Sequence, residues 1–308
     1  MQYVHHGLLS DGQWPAEVVR RVAREAAEGV SLINALRVEP DLGTPFRGGL
    51  PATTARRVEG GWRISGHKIY STGIPILSWL VVWGRTNEEQ PRSGQFLVPA
   101  KAPGVRVVET WDHLGMRASG SHDVIFEDVF IPTEHAVDIR PPSEWTSLDP
   151  LRTAWFTLLI SAIYDGVARA ARDWVIDFAK TRSPSNLGAS LATLSRFQEA
   201  IGEIEGLLLT NRRLLTGAAT DTDAGTPPTL AETGLIKLTV TRNSQTAVER
   251  ALELGGNPGL PRQSAGTPLP RRPVRPRPLS PRRHCPTDRR PAGPWRLTPW
   301  SRMREERA

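Results

Sequence analysis

WRISGHKIYSTG, residues 62–73, and HLGMRASGSHDVIFEDVFIP, residues 113–132, decide how this chain reads. Both are short runs of β-branched and aromatic residues cut by glycine, a pattern of strands and turns rather than helix. The first ends with Tyr70, Ser71 and Thr72 side by side at a strand end. An aromatic ring beside hydroxyls can stack on a planar ring and hydrogen-bond its polar edge. A plain surface turn has the same composition.

Outward from these stretches the strand pattern continues. Ala52–Val58, the turn Glu59-Gly60-Gly61 and Trp62–Ser65 predict a hairpin. Lys68–Ser71, Trp79–Arg85, Gln95–Pro99, Val105–Glu109 and Asp123–Phe126 are further strand candidates. Evenly spaced short strands predict a small β-barrel or sandwich over residues 34–140. Before it, residues 15–33 have helical spacing, with Val18, Val19, Val22, Ala26 and Val30 on one face and Pro15 in the first turn. After it, residues 150–181, 190–218 and 229–254 predict three long helices. Leu194, Phe197, Ile201, Ile204, Leu208 and Leu215 form an apolar stripe on the second, and DTDAGTPP (221–228) marks a turn. Long helices with short links predict an antiparallel bundle over 141–260. The fold class is α+β.

The chain has 308 residues and a formal charge of +7, which invites a nucleic-acid reading. The distribution argues against it. Residues 261–308 hold 13 Arg against Asp288, Glu305 and Glu306, so the body sums to −3. That segment also carries 11 Pro and the single cysteine, Cys285. A body without cysteine fits a reducing cytoplasm. No run of about 18 apolar residues predicts a membrane span, and the first residues lack signal-peptide features. No Walker loop, HExxH or paired CxxC is present. GGNPG (255–259) follows a helix and reads as its C-terminal cap. His5-His6 lies in an expected frayed terminus and suggests no metal site.

The order of motifs resembles the acyl-CoA dehydrogenase family of flavoproteins. Arg37-Val38-Glu39-Pro40 stands for its Thr-Glu-Pro loop, and Trp62 to Gly73 follows W-x-(I/L)-x-G-x-K-x-(W/Y)-(I/S)-(T/S)-(N/T)-G. Gln95 to Pro99 and Leu114 to Pro132 follow two further blocks, in register. The resemblance implies a middle β-barrel domain (34–140) between helical domains, with residues 1–33 a remnant of the first. It implies FAD, with Tyr70 packing on the isoalloxazine and Thr72, beside Ser71, bonding its N5 edge. Leu36 and Val38 align with contacts on its other side, and Arg182 with a residue reaching the FAD diphosphate of a neighbouring subunit. It also implies an acyl-CoA or other small-molecule substrate and a homo-oligomer. An electron acceptor or reductase partner, the substrate and the catalytic base stay open, as does a flavin-dependent monooxygenase on the same fold.

Two departures stand out. The family's first helical domain runs to about a hundred residues, against 33 here. The Arg/Pro segment stands where the end of the bundle, usual source of the family's catalytic Glu, is expected. Shifted by one base from Leu260, residues 261–275 can be decoded as SRANPLERHYRDVLC, which continues the family's bundle pattern. The segment therefore reads as an out-of-frame translation, and an inactive product is one of the readings left open. The alternative is a genuine basic, disordered tail. Either reading predicts that residues from about 261 do not pack as the family's bundle does.

Overall fold

A computed structural model describes residues 2–8, 14–42, 50–113, 116–145 and 149–256. A short helix α1 (Gln2–Leu8) and helix α2 (Ala16–Glu28) precede eight strands. These are β1 (Ile33–Leu36), β2 (Thr54–Val58), β3 (Gly61–Lys68), β4 (Trp79–Thr86), β5 (Ser93–Pro99), β6 (Val105–Val108), β7 (Asp123–Pro132) and β8 (Ala136–Arg140). Helices α3 (Pro150–Thr181), α4 (Ser195–Asp223) and α5 (Leu230–Gly255) follow. Expectations about residues 257–308 lie outside the described residues.

The strands form one mixed sheet in the order β6-β7-β3-β2-β4-β5-β8, with β1 also paired to β4. β2 and β1 both run parallel to β4, at its two ends: Thr54 and Ala55 face Arg85 and Thr86, and Ile33–Leu36 face Trp79–Val82. The sheet curls on itself. Trp62, Ile64, Val124, Phe126 and Val129 from one half share a core with Leu80, Val82, Phe96 and Val98 from the other. β6 and β8 are the ends of the hydrogen-bonded path, so the expected barrel is an open one.

Alternation along β4 decides what lies outside. Leu80 and Val82 point into the core, so Trp79 and Val81 face the other way. There, with Ile33, Leu97 and Val137, they meet Val18 and Val22 of α2. The polar fringe of α2 completes the dock. Glu25 Oε2 accepts from Trp79 Nε1 at 2.6 Å, and the Arg21 guanidinium lies 4.9 Å over the Trp79 ring. His135 donates from Nδ1 to the Leu97 carbonyl at 2.8 Å, which leaves Nε2 to accept from Arg21. Burial pushes the His135 pKa down, in keeping with this neutral role. α2 stops at Glu28, short of the expected 33, because Gly29 is extended and Leu32 is tied to the start of β4. The Leu32 carbonyl accepts from Ser78 and Trp79 N–H groups.

One buried pair ties the motif blocks together. Lys68 Nζ donates to Glu39 Oε1 at 2.7 Å, with side-chain exposures of 0% and 2%. Glu39 also accepts from Ala52 N–H (2.7 Å), Thr53 N–H (3.0 Å) and Thr53 Oγ1 (2.6 Å). Burial opposes its charge, but these donors outweigh it and hold the carboxyl below its usual range. Burial pushes Lys68 down to about 8 against the pull of Glu39. Gly66 makes the arrangement fit. A Cβ there would stand 2.4 Å from Thr53 Oγ1 and 2.8 Å from its Cα. That clash is why the G-x-K spacing needs glycine.

The bundle follows its sequence pattern closely. α3 spans the expected 150–181, with Asp149 accepting from Leu151 and Arg152 N–H groups. α4 begins at Ser195, not 190, because Leu191–Thr193 forms a separate 3-10 turn. It runs on to Asp223, into the predicted turn. Thr229 and Glu232 form a capping box on α5. Ala168 and Ala171 face Ala247 and Ala251, with Val175, Ile204, Leu208 and Val248 around them. Asn211, fully buried, donates to Asp165 Oδ1 (3.0 Å) and Ser244 Oγ (3.2 Å) and accepts from Asn243 (3.0 Å). This network joins all three helices at mid-length and sets their register. Among the described residues, no helix is long and apolar enough to cross a membrane.

Lys68→Met leaves the Glu39 carboxylate buried without its cation, and should cost about 3–5 kcal/mol. Gly66→Ala should cost about 1–3 kcal/mol through the Thr53 clash. Urea unfolding followed by tryptophan fluorescence measures both; unchanged midpoints would refute the roles given to this pair and this glycine.

Candidate functional site

The segment after β3 is a loop rather than the strand expected over 68–71. Lys68 is the last residue of β3, because Ile69 N–H turns to the Val38 carbonyl (3.0 Å) instead of continuing the β7 ladder. Tyr70 then takes φ +57°. This left-handed conformation costs an L-residue roughly 1–2 kcal/mol and is held only where surroundings enforce it. The enforcement comes from the second quoted stretch. Ser71 N–H donates to the His122 carbonyl at 3.1 Å, and Gly73 N–H to the Ser119 carbonyl at 2.7 Å. The two diagnostic stretches, some fifty residues apart, thus close on each other.

The result is a ledge of hydroxyls and rings. Thr72 Oγ1 lies 2.9 Å from Ser121 Oγ, which lies 2.7 Å from Ser119 Oγ. In a chain of hydroxyls each group can donate or accept, so Thr72, exposed at its end, can offer either a proton or a lone pair. Tyr70 is 55% exposed. Its ring meets Trp111 and His113 edge-on at 6.4 and 6.2 Å, and those two stack at 3.7 Å. Their segment is pinned by His122, whose Nδ1 accepts from Thr110 and Trp111 N–H groups at 3.2 and 3.1 Å. Asp123 is taken by Thr110 Oγ1 (2.7 Å) and His67 Nε2 (2.8 Å). The Ser71 hydroxyl is buried and has no hydrogen-bond partner among the described residues.

A third stretch supports the ledge from below. Asn34 on β1 donates from Nδ2 to the Thr72 carbonyl at 2.9 Å, and its Oδ1 accepts from Ala35 N–H (2.9 Å) and His5 Nε2 (3.2 Å). His5 therefore sits in helix α1, not in the frayed terminus expected for it. Burial pushes its pKa down to about 4.

The six expected cofactor residues part company here. Tyr70, Ser71 and Thr72 lie together in the ledge loop. Val38 joins them through its carbonyl. Leu36 is 1% exposed and packs in the β core, so it can offer only backbone at the surface. Arg182 caps the C-terminus of α3, exposed, and among the described residues no hydrogen bond, ion pair or ring contact joins it to the ledge. Asn34, Ser119, Ser121 and His122 had no assigned role in sequence. The alternating serines of the 114–132 block were the visible signal for Ser119 and Ser121.

The ledge suits a flavin in kind. It offers an exposed ring and a hydroxyl able to donate or accept beside backbone held in a strained conformation. Among the described residues no group of His, Cys, Asp or Glu could hold a metal.

Comparisons with known proteins bear on the family. Residues 37–129 match the profile described as acyl-CoA dehydrogenase, middle domain, and residues 158–272 the one described as acyl-CoA dehydrogenase, C-terminal domain. The second match runs past the boundary expected at 260. YdbM of Bacillus subtilis (strain 168), provisionally named an acyl-CoA dehydrogenase, is 32% identical over 265 residues, covering 83% of this chain and 66% of its own. The mitochondrial short-chain specific acyl-CoA dehydrogenase of Bos taurus is 30% identical over 213 residues, 68% of this chain and 50% of its own. The chain thus spans about half to two thirds of these relatives. Among solved structures, KijD3 in complex with FMN and a dTDP-amino-keto-sugar aligns at 25% identity and TM-score 0.72, over 92% of this chain and 69% of that one. A glutaryl-CoA dehydrogenase of Mycobacterium smegmatis with FADH2 aligns at 22% identity and TM-score 0.72, over 86% and 66%.

His5 resists protonation in the fold, so it contributes stability above its ordinary pKa of 6.5 that is lost as pH falls toward about 4. An NMR titration should place the His5 midpoint near pH 4. A midpoint at 6 or above would mean that α1 is not docked on Asn34.

Proposed function

The chain belongs to the acyl-CoA dehydrogenase family, a family of flavoproteins, and from that premise we propose that it is an FAD-dependent oxidoreductase whose flavin lies on the Tyr70–Thr72 ledge. The observation that carries this reading is the closure of the two motif stretches on each other. It holds Tyr70 in a strained conformation and leaves the Thr72 hydroxyl at the end of a hydroxyl chain. When bound, the flavin supplies a two-electron acceptor; the protein supplies position and electrostatics.

Each neighbouring residue has a definable task. Tyr70 presents an aromatic surface for the ring system. Thr72 donates to an acceptor edge or accepts from an N–H, and Ser121 and Ser119 reorient to match. Asn34 fixes the Thr72 carbonyl and so the height of the hydroxyl. Val38 supplies backbone beside Ile69. Arg182 would serve the diphosphate of a neighbouring copy, a geometry suited to a guanidinium, and this part of the proposal requires a homo-oligomer.

The favoured reaction is oxidation of the Cα–Cβ bond of an acyl-CoA thioester. Removal of the α-proton requires a base; among the described residues, no carboxylate hydrogen-bonds into the Thr72–Ser121–Ser119 chain. A second reading, a flavin-dependent monooxygenase on the same fold, needs no such base. It is favoured by the alignment at 25% identity with KijD3, whose bound ligands are FMN and a nucleotide sugar rather than a thioester.

Purified protein mixed with FAD and freed of excess should retain a visible flavin band shifted from that of free FAD. Tyr70→Ala and Thr72→Val should each weaken retention about tenfold, the equivalent of 1.4 kcal/mol. Loss of the band in wild-type protein, or its indifference to both changes, would refute the site. Anaerobic mixing of the loaded protein with acyl-CoA thioesters of several chain lengths separates the reactions. Bleaching by a thioester supports dehydrogenation. Failure of every thioester to bleach the band, with oxygen-dependent turnover of another substrate, supports the second reading.

A further inference from the structure

The outer face of β4 beyond α2 has a surplus of donors that the flavin ledge does not explain. Arg37, half-buried, follows β1 directly. Its guanidinium lies 5.4 Å over the Trp83 ring, and among the described residues it makes no hydrogen bond and no ion pair. Trp83 is 6% exposed and its buried indole N–H has no acceptor among the described residues. Arg85, two residues further along the same face, has a buried Nε–H that is likewise unpartnered. Three neighbouring groups therefore present only donors.

The carboxylate that could answer them is already taken. Asp138 on β8 is held at both oxygens by Arg140, at 2.7 and 3.1 Å. Arg140 in turn lies 4.8 Å over Trp145, whose ring meets Trp83 edge-on at 4.6 Å. Burial and the positive charge of Arg152, in the first turn of α3, push the Arg37 pKa down, and the Asp138 charge opposes them only in part. Arginine nevertheless stays charged in proteins. A half-buried cation that makes neither an ion pair nor a hydrogen bond is unfavourable unless something supplies acceptors. The stack on Trp83 offsets part of this and holds the fork in a fixed plane.

We propose that Arg37, backed by Trp83 and Arg85, is the principal residue of a binding site for a phosphate-type oxyanion on the outer face of β4. A planar guanidinium matches two oxygens of such a group, and charge-assisted bonds of this kind are the strong ones. Trp83, in contact with the guanidinium, reports its occupation. The site stands on the outer faces of β1, β4 and β8, whereas the ledge is built from the loops around Tyr70 and Ser121 with Asn34 of β1 beneath it, so the two share β1 but none of the side chains proposed to bind.

The test is calorimetric titration of the full chain with inorganic phosphate at constant ionic strength, with chloride as control. Wild-type protein should bind phosphate saturably, and Arg37→Met, which keeps the apolar stem on Trp83, should bind at least about tenfold more weakly. Arg37→Lys, which keeps the charge but loses the fork, should fall between. Thermal unfolding without phosphate verifies that each variant is folded. Phosphate should change tryptophan emission in the wild type and not in Trp83→Phe. Tyr70→Ala should leave phosphate affinity unchanged while weakening flavin retention, so this proposal and the flavin site can fail separately. Competition by ADP would name a nucleotide phosphate as the source, and competition by inorganic phosphate alone would name the free ion; either supports the site. No saturable phosphate binding, or equal affinity in wild type and Arg37→Met, overturns it.

Discussion

The rest of the β domain depends on one carboxylate, Glu39, that is buried and fully answered. Its donors come from two places in the chain: Lys68 at the end of β3, and Ala52 and Thr53 just before β2. Removing any of them leaves charge in a low-dielectric interior. The pair therefore acts less as a source of net stability than as a condition on geometry. β3 must end where Lys68 meets Glu39, and Ile69 must then turn to Val38. Tyr70 enters its left-handed conformation directly after that turn. Gly66 belongs to the same constraint, since only a missing Cβ lets Thr53 come close enough to serve Glu39.

Rigidity at the ledge is relayed rather than local. The Thr72 carbonyl is held by Asn34, Asn34 by His5, and His5 by its burial in α1. On the other side, His122 must keep an unprotonated Nδ1 to accept the two N–H groups that pin Trp111. Two histidines far apart in sequence thus brace one hydroxyl chain. In the bundle, the Asn211 network plays a comparable part. A slip of α3, α4 or α5 by one turn would bury Asp165 or Asn211 without partners, so the register is fixed although the surrounding Ala and Leu contacts would tolerate several.

The arginines divide by what answers them. Those beside Asp128, Glu127 and Glu88 sit in exposed pairs, and such pairs contribute little. Arg21 and Arg140 are built into packing between elements. Arg37 makes no ion pair among the described residues: a ring lies beneath it and Asp138 attracts it only from beyond contact distance.

The sequence by itself determined the element types where periodicity was strong. α3 falls where the 3.6-residue pattern put it, and β2 with β3 forms the hairpin announced by Glu59-Gly60-Gly61. It also placed Tyr70, Ser71 and Thr72 together, because they are adjacent in the chain. Short strands with mixed burial, β1 and β8, were not legible, since their partners β4 and β5 are remote and a four- or five-residue run carries little period. Only the tertiary structure decided that Leu36 turns inward, that Ser119 and Ser121 reach Thr72, and that Arg182 stands apart. It alone showed that Lys68 ends a strand instead of beginning one. The reason is common to all of these. Hydrogen bonds and buried charges are satisfied by whatever the fold brings near, and for groups thirty to fifty residues apart that nearness is a property of the packed chain.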